Sequence, residues 1–572
     1  MTAWATIRRV SSGVTVPLFF VLVIPALGHG ADDTTDPHKP TKLTPAQWRA
    51  SAEAAEKAND WEAAFTAYCH LFVAERNSPD LRERLNHALR RSQQVRRHRD
   101  PAFQQFAAGM STLDAMRLFA EVLTKVPVLY VDRERATPQI LWEHGIEELA
   151  RALDNPLFRQ VYLDSPAAAK ADGFRNSLRS SWARQPVANA NDARKLLPKL
   201  LDAADAAFAS RIRAALVLEI VCGSCAGLDE YTVFLNPSQY NPTSVGAVPD
   251  LTAQGVYLGY ADGGLVVAGI APGSWAALEA PGLRKGDRVA TLNGKTMAAA
   301  TPALAAEALR TPVEGYHELE VIGEDAEAPA FVARLPVVVP TVFGTSVAAP
   351  KDSLPGKDGG IGYTRIGRVA ATTPRELDEA IHGLKARGVR SLVIDLRGNM
   401  GGSFQAGVET AKRLIPAGLI VTTQGQTAQV DNQPFSSDSG MSAHDIPVVV
   451  LVDSETASAA ELLAAALKDH RRATLVGMPT FGKGAVQYPV RLDALDEKDA
   501  SGQPKTGRSG GVRLTIAKLL SPSGAAINGV GVTPHVLEMH PAQQLDLAFK
   551  KAVDLLPASP LPPAPMALPM IP

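Results

Sequence analysis

The sequence predicts a multidomain α+β protein with an α-helical N-terminal region, a small β-rich module and an α/β core. Three observations predict it. Apolar residues recur at helical spacing over most of residues 44–235. Short apolar runs separated by Gly-rich turns fill residues 252–338. From Gly360 onward strand-like runs alternate with helix-like segments, the mark of an α/β layer. At 572 residues the chain exceeds what one core can hold. A hydrophobic content of 46% and a charged content of 20% suit a folded soluble chain. The formal net charge of -1 gives no bulk attraction to nucleic acid or to an anionic surface.

Residues 1–31 read as a secretory signal peptide. Arg8 and Arg9 form its positive start, residues 14–27 are apolar, and Ala26-Leu27-Gly28 offers small residues for cleavage. The apolar run is short for a transmembrane helix, and an uncleaved anchor is the alternative. No later stretch is long and apolar enough to cross a bilayer. The expectation is an exported protein, most simply periplasmic, with no integral span after signal cleavage. Residues 32–43 read as a polar linker.

Residues 44–240 form the helical region. Trp48, Ala52, Ala55, Trp61, Ala64, Tyr68 and Leu71 give two helices with a turn at Asn59-Asp60. This resembles one tetratricopeptide-like hairpin, and a plain amphipathic helix pair fits equally. Helices are expected from Leu113, over 145–153 and over 199–221, the last with Pro198 at its first turn. The basic run at 90–99 reads as a solvated helix face. Cys222-Gly223-Ser224-Cys225 reads as a structural pair, with a disulfide as one form open to it in an exported protein. Its flanks lack the strand of a redox motif, and no second pair of zinc ligands is evident.

Residues 250–340 form the β-rich module, with turn signals at Asp262-Gly263-Gly264 and Asn293-Gly294 and a helix at 302–309. Three stretches carry a resemblance. They are Gln254-Gly255-Val256-Tyr257-Leu258, Pro272-Gly273-Ser274-Trp275-Ala276 and Leu283-Arg284-Lys285-Gly286-Asp287-Arg288-Val289. The module resembles a PDZ domain. That implies capture of a C-terminal peptide at Gly255, Val256, Tyr257 and Leu258 by β-augmentation. The alternative is a spacer of the same shape with a closed groove.

Residues 341–556 form the core, followed by a Pro-rich tail at 557–572 expected to be disordered. Two motifs there are decoys. Gly477-x-x-x-x-Gly482-Lys483 lacks the following Ser or Thr and the helix of a phosphate loop. Gly507-Arg508-Ser509-Gly510-Gly511 lacks the strand and helix of a nucleophile elbow. Ser458 has better surroundings, in Thr456-Ala457-Ser458-Ala459-Ala460-Glu461 at the start of a helical segment. The helix dipole there favours developing negative charge, and the first-turn N–H of Ala459 has no partner in its own helix. A plain N-cap serine is the competing reading. Lys483 stands in Phe481-Gly482-Lys483-Gly484-Ala485-Val486, without a neighbouring carboxylate. That composition suits a desolvated lysine able to act as a base, and equally a surface turn.

Taken with the 25 positions between Ser458 and Lys483, these residues carry a second resemblance. Ala457-Ser458-Ala459-x-Glu461 and Phe481-Gly482-Lys483-Gly484-x-Val486-Gln487 resemble the catalytic region of the carboxy-terminal processing peptidases, the tail-specific proteases. So do Arg397-Gly398-Asn399-Met400-Gly401-Gly402 and Gly531-Val532-Thr533-Pro534. The resemblance implies a crotonase/ClpP-like peptidase core and a serine–lysine dyad without metal or cofactor. It makes Ser458 the nucleophile, Lys483 the general base and Gln487 the residue that orients the lysine. Gly401 or Gly402, with Ala459, would form the oxyanion hole. The substrate would be a protein or peptide cut near its C-terminus, with its end bound by the PDZ-like module. Met400, Ala460 and the Leu228-Asp229-Glu230-Tyr231-Thr232 segment depart from the family's pattern, and residues 44–94 have no counterpart in it. The competing functions are an inactive PDZ scaffold that binds peptides and a small-ester hydrolase using the same dyad.

Overall fold

The computed structural model describes residues 43–75, 78–163, 168–208, 212–240, 251–261, 264–298, 300–323, 331–348, 360–438, 443–496 and 507–556. The expected signal peptide, almost all of the linker and the Pro-rich tail lie outside the described residues, as does the Asp262-Gly263 turn. The chain divides into two compact units. One comprises residues 1–247, 424–432 and 485–518, the other 248–423, 433–484 and 519–572.

The first unit is mainly helical. Helices Pro45–Lys57 and Trp61–Ala74 are joined at Asn59, which turns with φ +57°. They bury Ala64, Phe65, Tyr68 and Leu71 against Leu81 and Leu85 of helix Pro79–Arg99. A larger core gathers Leu118, Phe119, Trp142, Leu149 and Leu218 from helices Thr112–Leu129, Pro138–Ala152 and Arg213–Ala226. The last two helices touch through glycines. A Cβ on Gly145 would lie 2.5 Å from the Ile220 side chain, and one on Gly223 would lie 2.2 Å from Glu148 Cβ. Strands Ala485–Arg491 and Val233–Leu235 flank Gly511–Leu520 antiparallel, and Val490, Leu492, Val512 and Leu514 join the helical core.

The structure differs from two helical expectations. The helix expected at 199–221 is two helices, Ala190–Ala207 and Arg213–Ala226, and Pro198 lies inside the first. Asn189 sets the earlier start, its side chain accepting from the N–H groups of Asn191 and Asp192. The basic run at 90–99 is not a solvated face: Arg91, Gln94 and His98 are buried. Arg97 pairs with Glu148 and with the fully buried Glu219 at 2.9 Å each, and His98 Nε2 stands 3.4 Å from Glu219. Gln94 donates to Glu148 Oε1 at 3.0 Å and to Glu219 Oε2 at 3.2 Å. Burial pushes the Glu219 carboxyl up, but Arg97 and His98 outweigh it and hold the group well below the usual carboxylate range. Cys69, Cys222 and Cys225 are free and buried, and burial pushes the Cys222 thiol up to about 12.

In the second unit, five strands between Val256 and Pro336 form an antiparallel sheet. Its order is Val256–Ala261, Gly264–Ile270, Arg288–Leu292, Tyr316–Ile322 and Phe331–Pro336. Lys295–Thr296 pairs with Arg288–Leu292 through the Asn293-Gly294 turn, where both φ angles are positive. Leu265, Val267, Val289, Leu292, Leu319 and Val321 fill its core with Ala305 and Leu309 of helix Pro302–Leu309. The unit also holds a six-stranded sheet in the order Val536–Leu537, Ala473–Gly477, Val448–Val452, Val389–Asp395, Gly360–Ile366 and Val342–Ala348. Every pairing is parallel except the last. Val448–Val452 is buried at every position, as its unbroken apolar run requires. Helix Pro541–Asp554 packs Ala548 and Ala552 against Val393, Val449 and Leu451.

Candidate active site

Parallel strands put their carboxyl ends on one edge of the sheet, where α/β sites form. Three loops leave Val389–Asp395, Val448–Val452 and Ala473–Gly477 at that edge and carry the residues singled out from the sequence.

The first loop is anchored at Asp395, which is fully buried. Its carboxylate accepts from the Arg397 N–H and the Tyr363 hydroxyl at 2.9 Å each, and it pairs with Arg365 and Arg397 at 3.3 and 2.7 Å. Burial raises this carboxyl, yet the two guanidinium groups bring it below its ordinary range. Asn399, also fully buried, donates to the Ile366 carbonyl at 2.8 Å, and its Oδ1 accepts from the Gly401 N–H at 2.8 Å. Gly401 and Gly402 have φ of +90° and +148°. A Cβ on Gly401 would stand 2.7 Å from Ser458 Cβ and 2.8 Å from the Ala459 nitrogen, so only glycine lets this loop rest on the serine.

The second loop closes around Asp453. Its Oδ1 accepts from the Thr456 N–H at 2.9 Å, and both its oxygens accept from the Gly398 N–H at 3.0 Å. The Ala457 N–H donates to the Asn399 carbonyl at 2.9 Å and zips the two loops together. Ser458 follows at φ +58°, ψ −120°, a conformation costly for any residue with a Cβ. It is partly exposed and stands directly before helix Ala459–Asp469.

The third loop carries Phe481-Gly482-Lys483-Gly484. The Phe481 N–H donates to the Thr456 carbonyl at 2.9 Å, and the Gly529 N–H donates to the Gly482 carbonyl at 2.8 Å. Lys483 is partly exposed.

One carboxylate joins the last two loops. Glu461 is fully buried in the first turn of helix Ala459–Asp469. Its Oε2 accepts from the Ser458 N–H at 2.8 Å and from the Lys483 N–H at 2.7 Å. Its Oε1 accepts from the Thr480 hydroxyl and the Gly482 N–H, both at 2.6 Å. Burial is the largest influence on this carboxyl and pushes it above its ordinary range, against the four donors.

Ser458, Ala459, Gly401, Gly402 and Lys483 thus share the second unit, and the main chains of Ser458 and Lys483 meet on one oxygen. Gln487 lies beyond the crossing between Gly484 and Ala485, in the first unit. There its side-chain nitrogen donates to the Tyr231 carbonyl at 2.7 Å, and the strand bulges between Val486 and Gln487. Gly255, Val256, Tyr257 and Leu258 open the end strand of the antiparallel sheet. The N–H groups of Gly255 and Val256 are engaged by the Thr252 and Leu251 carbonyls at 3.0 Å each. The decoys resolve locally. Strand Ala485–Arg491 follows Lys483-Gly484, and Ser509 is a buried turn residue whose Oγ accepts from the Leu495 N–H at 2.8 Å. The sequence alone does not mark Asn399, Asp453, Thr480 or the bridging role of Glu461. Ser458-x-x-Glu461 has the spacing of a capping box, the one signal the sequence carries for Glu461.

The family profile described as Peptidase family S41 matches residues 360–537, which span all three loops. The carboxyl-terminal-processing protease of Synechocystis sp. is 31% identical over 340 residues, covering 58% of this chain and 74% of its own length. That of Picosynechococcus sp. is 30% identical over 335 residues, 57% of this chain and 76% of its own. The chloroplast C-terminal processing peptidase of Tetradesmus obliquus is 33% identical over 323 residues, 54% of this chain and 64% of its own. The chain is a serine-type peptidase of family S41. Within it, the chain belongs to the carboxyl-terminal-processing proteases.

Proposed function

We propose that this chain is an exported endopeptidase that cuts proteins near their C-termini through a Ser458–Lys483 dyad. The observation that carries the reading is the single Glu461 oxygen holding the N–H groups of both residues. In this reading the Ser458 hydroxyl oxygen attacks the scissile carbonyl and its proton passes to the Lys483 amine. The tetrahedral oxyanion is held by main-chain N–H groups. Ala459 supplies one from its free first turn. Gly402 supplies the other more readily than Gly401, whose N–H is engaged by Asn399. Lys483 then gives the proton to the leaving amine, and water hydrolyses the acyl-enzyme. Gln487 is assigned the orienting of the lysine by its position in the family's motif.

The end strand Val256–Ala261 fits capture of the substrate's C-terminal segment by strand addition, as in a PDZ module. Because the Gly255 and Val256 amides close their own turn, Tyr257 and Leu258 are the better contacts for the peptide end. Export is supported by the charged start and apolar run of residues 8–27, and no helix among the described residues is long and apolar enough to cross a membrane.

The test is digestion of a disordered model protein by the wild type and by Ser458→Ala, with products mapped by mass spectrometry. We expect fragments lost from the C-terminal side with wild type and none with the variant, while circular dichroism stays unchanged. Undiminished cutting by Ser458→Ala would sink the assignment.

A further inference from the structure

We infer that Glu461 is the positioning residue that sets the separation of Ser458 and Lys483 during acyl transfer. The inference rests on the serine–lysine reading above. A carboxylate that merely caps its own helix needs the Ser458 N–H alone. Glu461 takes three further donors, from Thr480, Gly482 and Lys483, which lie 19, 21 and 22 residues along the chain. Its hydrogen bonds therefore join two elements rather than close one.

The geometry explains why a carboxylate is required. Each oxygen accepts two hydrogen bonds, and three of the four donors are main-chain N–H groups that cannot rotate away. An ionised carboxylate offers about four lone-pair sites, and no other side chain offers as many to donors alone. A glutamine would turn an NH2 group toward two of these donors, whichever way it faced. An aspartate, one methylene shorter, cannot reach both loops from the same helix position. All four bonds are between 2.6 and 2.8 Å, so a shift of about 1 Å between the loops carries them out of hydrogen-bond range. The same carboxylate accepts the N–H of Ser458 and so holds that residue in its positive-φ conformation. Thr480 completes the brace. Its hydroxyl donates to Glu461 Oε1 at 2.6 Å and accepts from the Val532 N–H at 2.7 Å.

The test measures kcat and KM on one peptide substrate for the full chain and for Glu461→Gln, Glu461→Asp, Thr480→Val, Thr480→Ser and Ser458→Ala. Misplacing reacting groups by about 1 Å costs on the order of 100-fold. We expect Glu461→Gln to lower kcat by about that factor with KM within about twofold, the split expected when alignment rather than binding is lost. Glu461→Asp, too short to bridge the loops, should lower kcat at least as far. Thr480→Val should lower kcat about tenfold, and Thr480→Ser, which keeps the hydroxyl, should restore it. A folded Glu461→Gln with the kcat of the wild type overturns the inference, as does a loss carried wholly by KM. If Glu461→Gln does not fold, the threonine pair decides: Thr480→Val with the kcat of the wild type overturns it. An inactive Ser458→Ala beside a normal Glu461→Gln defeats this inference alone. An active Ser458→Ala defeats the dyad reading and this inference with it.

Discussion

Ser458 holds φ +58° although it carries a Cβ. Such a conformation costs roughly 1–3 kcal/mol. Glycine would remove that cost, while adding roughly 0.5–1 kcal/mol of chain entropy to be lost on folding. The first quantity exceeds the second, so Ser458→Gly should fold more stably than wild type while losing peptidase activity. A thermal melt reads the outcome, and a lower midpoint in the variant would contradict the strain. Ser458 and Lys483 were legible as candidates because their side chains sit in short, dense motifs. What holds them was not legible. The partners of Glu461 are mostly main-chain N–H groups from a distant loop, and a pattern of side chains does not report them. Asn399 and Thr480 escaped for the same reason, since each acts through contacts between segments far apart in the chain.

At the scale of elements, unbroken apolar runs such as 448–452 were legible because a strand buried on both faces has no polar positions to interrupt it. Gln433–Ser437 and Val342–Ala348 are not singled out by the sequence, being end strands with mixed exposure. Helix Pro79–Arg99 misled in the opposite direction. Its basic run suggested solvent, but Arg97 is turned inward onto Glu148 and Glu219. Charge in a sequence does not say where its counter-charge lies, and here the partners come from two other helices. Arg97→Met should leave two buried carboxylates facing each other without their cation. Breaking a buried pair in this way costs about 3–5 kcal/mol. Urea unfolding of the variant measures it, and a loss within error of zero would show that the cluster relaxes or hydrates.

For the molecule as a whole, acid acts on the helical unit through two histidines. Burial pushes both His87 and His144 down to about 4, helped at His87 by Arg151 and Arg91 and at His144 by Arg90 and Arg135. Between the ordinary histidine value of about 6.5 and that lowered value, the unfolded chain binds protons that the folded chain does not. Stability held at neutral pH is therefore lost as pH falls through this window. Melts from pH 7 to 4.5 should show a falling midpoint, and a less steep fall in the double variant His87→Gln, His144→Gln. Equal slopes in the two proteins would remove the histidines from the account. The division into helical, β-rich and α/β parts was legible because each has its own hydrophobic period. Their assembly into two units was not, because each unit is built from three separate stretches of chain.

That discontinuity bears on when activity can arise. The loop that carries Lys483 is clasped by Gly529 and Val532, which hydrogen-bond to Gly482 and Thr480. A nascent chain displays Ser458 long before this clasp has been synthesised. The loop of Phe481-Gly482-Lys483-Gly484 therefore gains these partners only once Gly529 and Val532 have emerged, when Ser458 already stands in the chain.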